Sequence, residues 1–249
     1  MFEAAPFLIL FGVGLLAGTI NVMAGGGSTL TLPALIFLGL DSATANGTNR
    51  VAIVLQNVFA TWSFRREKVS RFRQTLTFAL WAVPGAIAGA VAAVQIGDEW
   101  FKRILGIVMI GVVITMLVPR SKRQDLSDEG SHSWWIYPAL FGIGFYGGFI
   151  QVGVGFLIMA AFYHLLKLNL VFVNMHKVLV VLVYTIPALL IFTLAGHVDW
   201  ILGLSLAAGN SIGGWWAARL SVRRGEKAIR YVLIVAVLIM AAKILGVFE

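Results

Sequence analysis

The chain of 249 residues contains no cysteine, which excludes disulfides, thiolate metal sites and thiol nucleophiles. Charge is scarce as well: Asp, Glu, Lys and Arg together make up 12% of it, about half the share of a soluble domain. All eleven acids, from Glu3 to Glu249, fall in connections between apolar runs or near the chain ends. Cation pumps and carboxylate proton relays rely on intramembrane Asp or Glu, so both are disfavoured, while a histidine relay stays open. The four histidines show neither HExxH nor another compact metal spacing. No metal or other cofactor is expected.

What is abundant is apolar. Hydrophobic residues are 59% of the chain and the mean hydropathy is +0.91, the composition of an integral membrane protein. Runs such as 76–96 and 104–118 approach the ~20 residues a helix needs to cross the hydrocarbon core. No barrel pattern is visible, so the fold class is all-α. Segments are expected at 5–24, 28–40, 48–64, 74–96, 100–118, 134–152, 156–168, 171–194, 200–218 and 229–248. Two of them, 28–40 and 156–168, are short for a crossing, and re-entrant hairpins there would reduce the count to about eight. Residues 1–24 read as the first membrane helix, because the run carries Glu3, has no Lys or Arg, and continues into the next segment. The net charge of +8 comes from Lys and Arg in short connections, where it signals topology and does not call for nucleic acid.

Each short segment follows a glycine cluster, "AGGGS" or "GVGVGF", and this suggests a duplication. "FLGLDSATANGTNRV" pairs with "LLKLNLVFVNMHKVL", setting Asp41 on Asn169, Asn46 on Asn174, Thr48 on His176 and Asn49 on Lys177. "PGAIAG" pairs with "AGNSIG". The basic connection comes one position later in the second copy: "RREKVSRFR" precedes the Lys/Arg-free "QIGDEW", whereas Lys/Arg-free "AGHVDW" precedes "RLSVRRGEKAIR". Because Lys and Arg gather on the cytoplasmic side, the copies are expected to be inverted: 1–118 and 134–249, joined by a cytoplasmic linker at 119–133, with the N-terminus outside.

Two cations, Arg50 and Lys177, enter apolar helices at nearly equivalent places. A buried cation costs several kcal/mol unless paired or hydrated. Either an anion that comes and goes compensates them, or they reach the interface or bond carbonyls at helix ends. The glycines favour the anion: Gly25, Gly26 and Gly27 permit a break, Ser28 or Thr29 can cap the next helix, and the amides at its N-terminus attract negative charge. Gly153 and Gly155 would act likewise in the second copy, with Gln151 in the place of Asn21. Asn46, Thr48, Asn49, Gln56, Asn174, His176 and Tyr184 lie on the same elements. These residues compose the candidate site for a small anion near the midplane.

The glycine cluster before "PALIFLGL", then "ANGTNRVAIVLQN", with a diverged second copy and the "GNSIGGWWAARL" and "GEKAIRYVL" elements, resembles the TauE/SafE family of membrane anion permeases. The resemblance covers nearly the whole chain. It implies a multi-pass protein of the bacterial inner membrane that exports sulfite or a small organosulfonate such as sulfoacetate, with Gly25 to Gly27 and Ala45 to Arg50 carried over as site residues. The second copy departs from the pattern, reading "GVGVGF" and "VNMHKV". Expected partners are therefore a small anion and membrane lipids, and the oligomeric state stays open. Two other readings remain: a passive anion channel, and an intramembrane enzyme built on Ser28 with His176. No GxSxG or similar motif supports the enzyme.

Overall fold

The computed structural model describes residues 4–117 and 133–244, and among these the secondary structure is nine α-helices with no strand. They are α1 (Ala5–Ala24), α2 (Ser28–Phe37), α3 (Ser42–Arg66), α4 (Phe72–Gln95), α5 (Asp98–Leu117), α6 (Ile136–Phe149), α7 (Val154–Leu165), α8 (Leu170–Leu194) and α9 (Trp200–Ile244). Among the described residues, α1, α4 and α8 are long and apolar enough to cross a membrane. The expected linker lies, apart from Ser133, outside the described residues.

The helices begin and end where local chemistry dictates, with three differences from the sequence expectation. The polar stretch before Arg50 is not a connection but the first two turns of α3, which starts at Ser42 because the Asp41 side chain accepts from the Thr44 amide at 3.0 Å. Asn169 does the same for α8, accepting from the amides of Val171 and Phe172 at 3.0 Å each. The second difference is that α6 stops at Phe149, where Ile150 turns extended. The third is that the basic stretch after Trp216 stays helical, so α9 runs on to Ile244 with one break at Gly225 (φ 63°, ψ −158°).

Small residues let the backbones touch, as they do in membrane helix pairs. Along α1, Gly14 and Gly18 lie on the α9 backbone at Leu206 and Asn210, and reciprocally Gly209 and Gly213 lie on Phe11 and Leu15. The same interlock joins α6 to α4: Gly144 and Gly148 on Ala82 and Ala86, Gly85 and Gly89 on Phe141 and Phe145. Between these pairs run α3, packed on α9, and α8, packed on α4, with α3 and α8 also in contact.

Connections sort by charge. At one end the Asp98 carboxylate accepts from the Ser42 amide at 2.9 Å, and the Asp199 amide donates to Thr48 Oγ1 at 2.9 Å. Those contacts gather the turns before α3, α5 and α9. At the other end Glu67 pairs with Arg219 at 3.3 Å and Arg223 at 3.1 Å, joining the basic turn after α3 to the basic stretch of α9.

Candidate functional site

The site is organised by two breaks in the chain. Gly25 closes α1 with φ 90°, its amide donating to the carbonyls of Asn21 (2.9 Å) and Ile20 (3.1 Å). Gly153 opens α7 with φ 71°. The left-handed region costs a residue with a β-carbon roughly 1–2 kcal/mol, so both positions are suited to glycine. The breaks lie against each other: a β-carbon on Gly25 would stand 2.5 Å from the Gly155 carbonyl carbon and 2.8 Å from the Phe156 amide nitrogen. Gly26 faces the Phe156 ring, and Gly27 has Asn21 Cβ within 2.5 Å of where its own would be. Gly27 itself has helical φ and ψ, so close approach, not torsion, requires glycine there. The start of α2 has no side-chain cap: Thr29 Oγ1 donates to the Gly26 carbonyl at 2.6 Å, and Ser28 Oγ accepts from Asn49 Nδ2 at 3.3 Å. The cap expected from Ser28 or Thr29 is thus absent, because both hydroxyls are engaged elsewhere. At the start of α2 the amides of Thr29 and Leu30 donate to the carbonyls of Gly26 and Gly27 at 3.1 and 3.0 Å, and at the start of α7 the Phe156 amide donates to the Gly153 carbonyl at 3.0 Å, so what these helix starts offer an anion is chiefly the positive end of the dipole.

Both cations are buried and both hold the end of a broken helix. Arg50, fully buried on α3, donates through Nη2 to the Gly148 carbonyl at 2.6 Å and through Nη1 to the Gly147 carbonyl at 3.1 Å and to Gln151 Oε1 at 3.2 Å. Its guanidinium lies 4.6 Å from the Phe192 ring centroid. Lys177 of α8 donates to the carbonyls of Val22 at 2.7 Å and Asn21 at 3.0 Å, and to Asn174 Oδ1 at 2.9 Å. Each cation therefore binds the last turn of a helix from the other end of the chain, Arg50 on α6 and Lys177 on α1. The negative end of the helix dipole and its exposed carbonyls favour a cation there. Of the two sequence-level explanations for these charges, bonding to carbonyls at helix ends is the one seen.

Neutral side chains extend the cluster. Asn21 Nδ2 donates to Gln56 Oε1 at 3.1 Å, Thr31 Oγ1 to Asn49 Oδ1 at 2.7 Å, and Gln151 Nε2 to the Tyr184 hydroxyl at 3.2 Å. Asn46 Nδ2 donates to the Phe149 carbonyl at 2.9 Å and Asn174 Nδ2 to Met23 at 3.4 Å. Several buried polar atoms hold no partner, among them Asn46 Oδ1, Arg50 Nε, Gln56 Nε2 and both polar atoms of Asn210. Buried polar groups are nearly always bonded, so these atoms mark where water or a ligand belongs.

Two expected members sit elsewhere. Thr48 is tied to Asp199 at the end of the bundle where the turns before α3, α5 and α9 gather, beside the Gly47 contact with the His197 carbonyl. His176 shares a hydrogen bond of 2.7 Å with Thr75 of α4 and sets its ring edge-on to Phe78 and tilted to Phe162. Ser28 and His176 therefore hold separate partners, and the serine–histidine pair entertained for an enzyme is not formed. Conversely, Thr31 and Asn210 were not legible as site residues. Thr31 lies in an apolar run. Asn210 lies beside Ser211 within "GNSIGGWWAARL", an element that pointed to the family but not to a site.

The sequence model described as "Sulfite exporter TauE/SafE" matches residues 10–244. The chain belongs to this family. Curated relatives agree in extent: the "Probable membrane transporter protein YfcA" of Escherichia coli K12 is 32% identical over 249 residues, covering 98% of this chain and 92% of its own. A "Probable membrane transporter protein" of Haemophilus influenzae is 28% identical over 242 residues, 94% of this chain and 92% of its own. The "Probable membrane transporter protein YunE" of Bacillus subtilis is 24% identical over 273 residues, 98% of this chain and 99% of its own. No solved structure matches the chain. In this TauE/SafE chain the polar cluster draws on both of the breaks and on α3 and α8.

Proposed function

We propose that this protein is a secondary transporter of the bacterial inner membrane that exports sulfite or a small organosulfonate such as sulfoacetate by alternating access. The observation that carries the reading is the meeting of two glycine breaks at Gly25 and Gly155, which brings together the N-terminal ends of α2 and α7. Helix N-termini near the midplane are where transporters hold anionic groups. Around them stand Asn21, Asn46, Asn49, Gln56, Gln151, Asn174 and Tyr184, with Arg50 Nε and Gln56 Nε2 as buried donors still open.

In this reading residues 1–118 and 134–249 are inverted repeats, and the interlocks of α1 with α9 and of α4 with α6 are equivalent contacts between them, each joining a helix of one repeat to a helix of the other. Arg50 and Lys177 fasten one repeat to the other, so rocking of the repeats works against bonds at the very ends of the broken helices. The substrate class is taken from the family and from neutral and cationic donors suited to an oxyanion. Transport, not catalysis, is the proposed activity.

The purified chain in liposomes decides the matter. Efflux of sulfite and of sulfoacetate is measured with and without a proton gradient. Saturable flux with counterflow of unlabelled anion is expected. Flux that rises linearly without counterflow would identify a passive channel and overturn alternating access.

A further inference from the structure

On the outer flank of α3 and α9 lies a groove of about 510 Å³, lined among others by Leu55, Phe59 and Trp62 of α3 and by Leu204, Ile212 and Trp215 of α9. Its lining is almost wholly apolar, and Phe59, Trp62, Leu204 and Ile212 are among the exposed large hydrophobic residues. In a membrane such a surface faces acyl chains. The stretch of α9 from Leu204 to Trp215 rises roughly 16 Å at about 1.5 Å per residue. That is about half of the ~30 Å hydrocarbon core, the depth of one leaflet.

One end of the groove is marked by charge. The Arg66 guanidinium lies 4.7 Å from the Trp62 ring centroid, and that of Arg219 lies 5.6 Å from Trp215. Both tryptophans line the groove. Arg65, Arg223 and Arg224 are at the same end, and Glu67 is the acid that pairs there, with Arg219 and Arg223. The balance is positive. A zwitterionic headgroup would bring an ammonium among these guanidiniums, whereas an anionic one brings phosphate alone.

We infer that this groove is a binding site for one anionic phospholipid, an acyl chain lying along Leu55, Phe59 and Ile212 and the phosphate received by Arg66 and Arg219. The tryptophans sit at the level where aromatic rings meet headgroups, and basic clusters beside membrane helices attract anionic lipid. The site is separate from the glycine breaks and does not depend on what the protein transports.

The test uses the purified full chain in a neutral detergent, titrated with brominated phosphatidylglycerol or brominated phosphatidylcholine while tryptophan fluorescence is followed. Phosphatidylglycerol is expected to quench saturably at a roughly tenfold lower mole fraction, since a difference of 1.4 kcal/mol is a factor of ten. Trp62→Phe with Trp215→Phe should remove the saturable component. Arg66→Gln with Arg219→Gln should reduce phosphatidylglycerol to the level of phosphatidylcholine, and Ala208→Trp should block both. Equal quenching of the wild-type chain by the two lipids would overturn the proposal without recourse to any variant. So would a saturable component that survives the double phenylalanine change, or a stable dimer that Ala208→Trp dissociates, which would make the groove a protein interface.

Discussion

Lys177 donates a hydrogen bond of 2.7 Å to the carbonyl of Val22 and so closes α1, a helix far from it in sequence to which it does not belong. Arg50 does the corresponding thing to Gly148 on α6. The consequence is that each buried cation completes the last turn of a broken helix before any anion is considered.

Lys177→Met should therefore destabilise the empty protein. The ammonium loses carbonyl and amide acceptors at 2.7, 2.9 and 3.0 Å, and a hydrogen bond to a charged group contributes about 1.5–3 kcal/mol. A lower melting temperature in detergent is expected. If the variant melts at the wild-type temperature or above it, the relief of burying a charge outweighs the lost bonds and the capping role is refuted.

Arg50→Lys preserves the charge but not the fork. A single ammonium cannot reach the carbonyls of Gly147 and Gly148 and Gln151 Oε1 with the same geometry, because a planar guanidinium presents several fixed donors. Stability should fall by about 1 kcal/mol or more, and anion affinity, read by calorimetric titration, should fall with it as the Nε donor is lost. Unchanged affinity would remove Arg50 from the site.

At the breaks, Gly25→Ala should be worse than Gly26→Ala. A β-carbon on Gly25 meets the Gly155 backbone and sits at φ 90°, whereas one on Gly26 meets the far edge of the Phe156 ring, which can rotate away. The torsion alone costs roughly 1–2 kcal/mol. Melting temperatures and liposome flux of the two variants give the order, and equal effects would mean the backbone contact yields easily.

Asn210→Ala separates stability from transport. Both polar atoms of Asn210 are buried without a partner, and an unsatisfied polar group costs about 1–3 kcal/mol. The variant should melt no lower than wild type yet transport more slowly if the amide meets the substrate. Full flux would leave Asn210 a packing residue.

Sidedness can be read by single-cysteine labelling of this cysteine-free chain. Ala195→Cys is the better probe for the turn before α9, because neighbouring Gly196 has φ 78° and resists a side chain. It should label from the periplasm, and Ser70→Cys from the cytoplasm. Labelling of both from one side would contradict the inverted arrangement.

Hydropathy and spacing alone determined the membrane class, the helical character, the two glycine breaks and the polar segments around Arg50 and Lys177, because those properties are local: apolar length, φ freedom and loop charge are written residue by residue, whereas the start of α3, the end of α6 and the continuation of α9 were not. Asp41 and Asn169, set on one another when the two copies are aligned, are both helix caps. Only the tertiary structure decided what the cations bind, that Thr48 and His176 are drawn off to Asp199 and Thr75, and that Asn210 is left buried with open donors and acceptors. The physical reason is that a cation needs compensation but does not specify its source. An anion and the carbonyl end of a helix offer the same sign of charge, and which of them stands within about 3 Å depends on how residues 98 and 156 positions apart are packed.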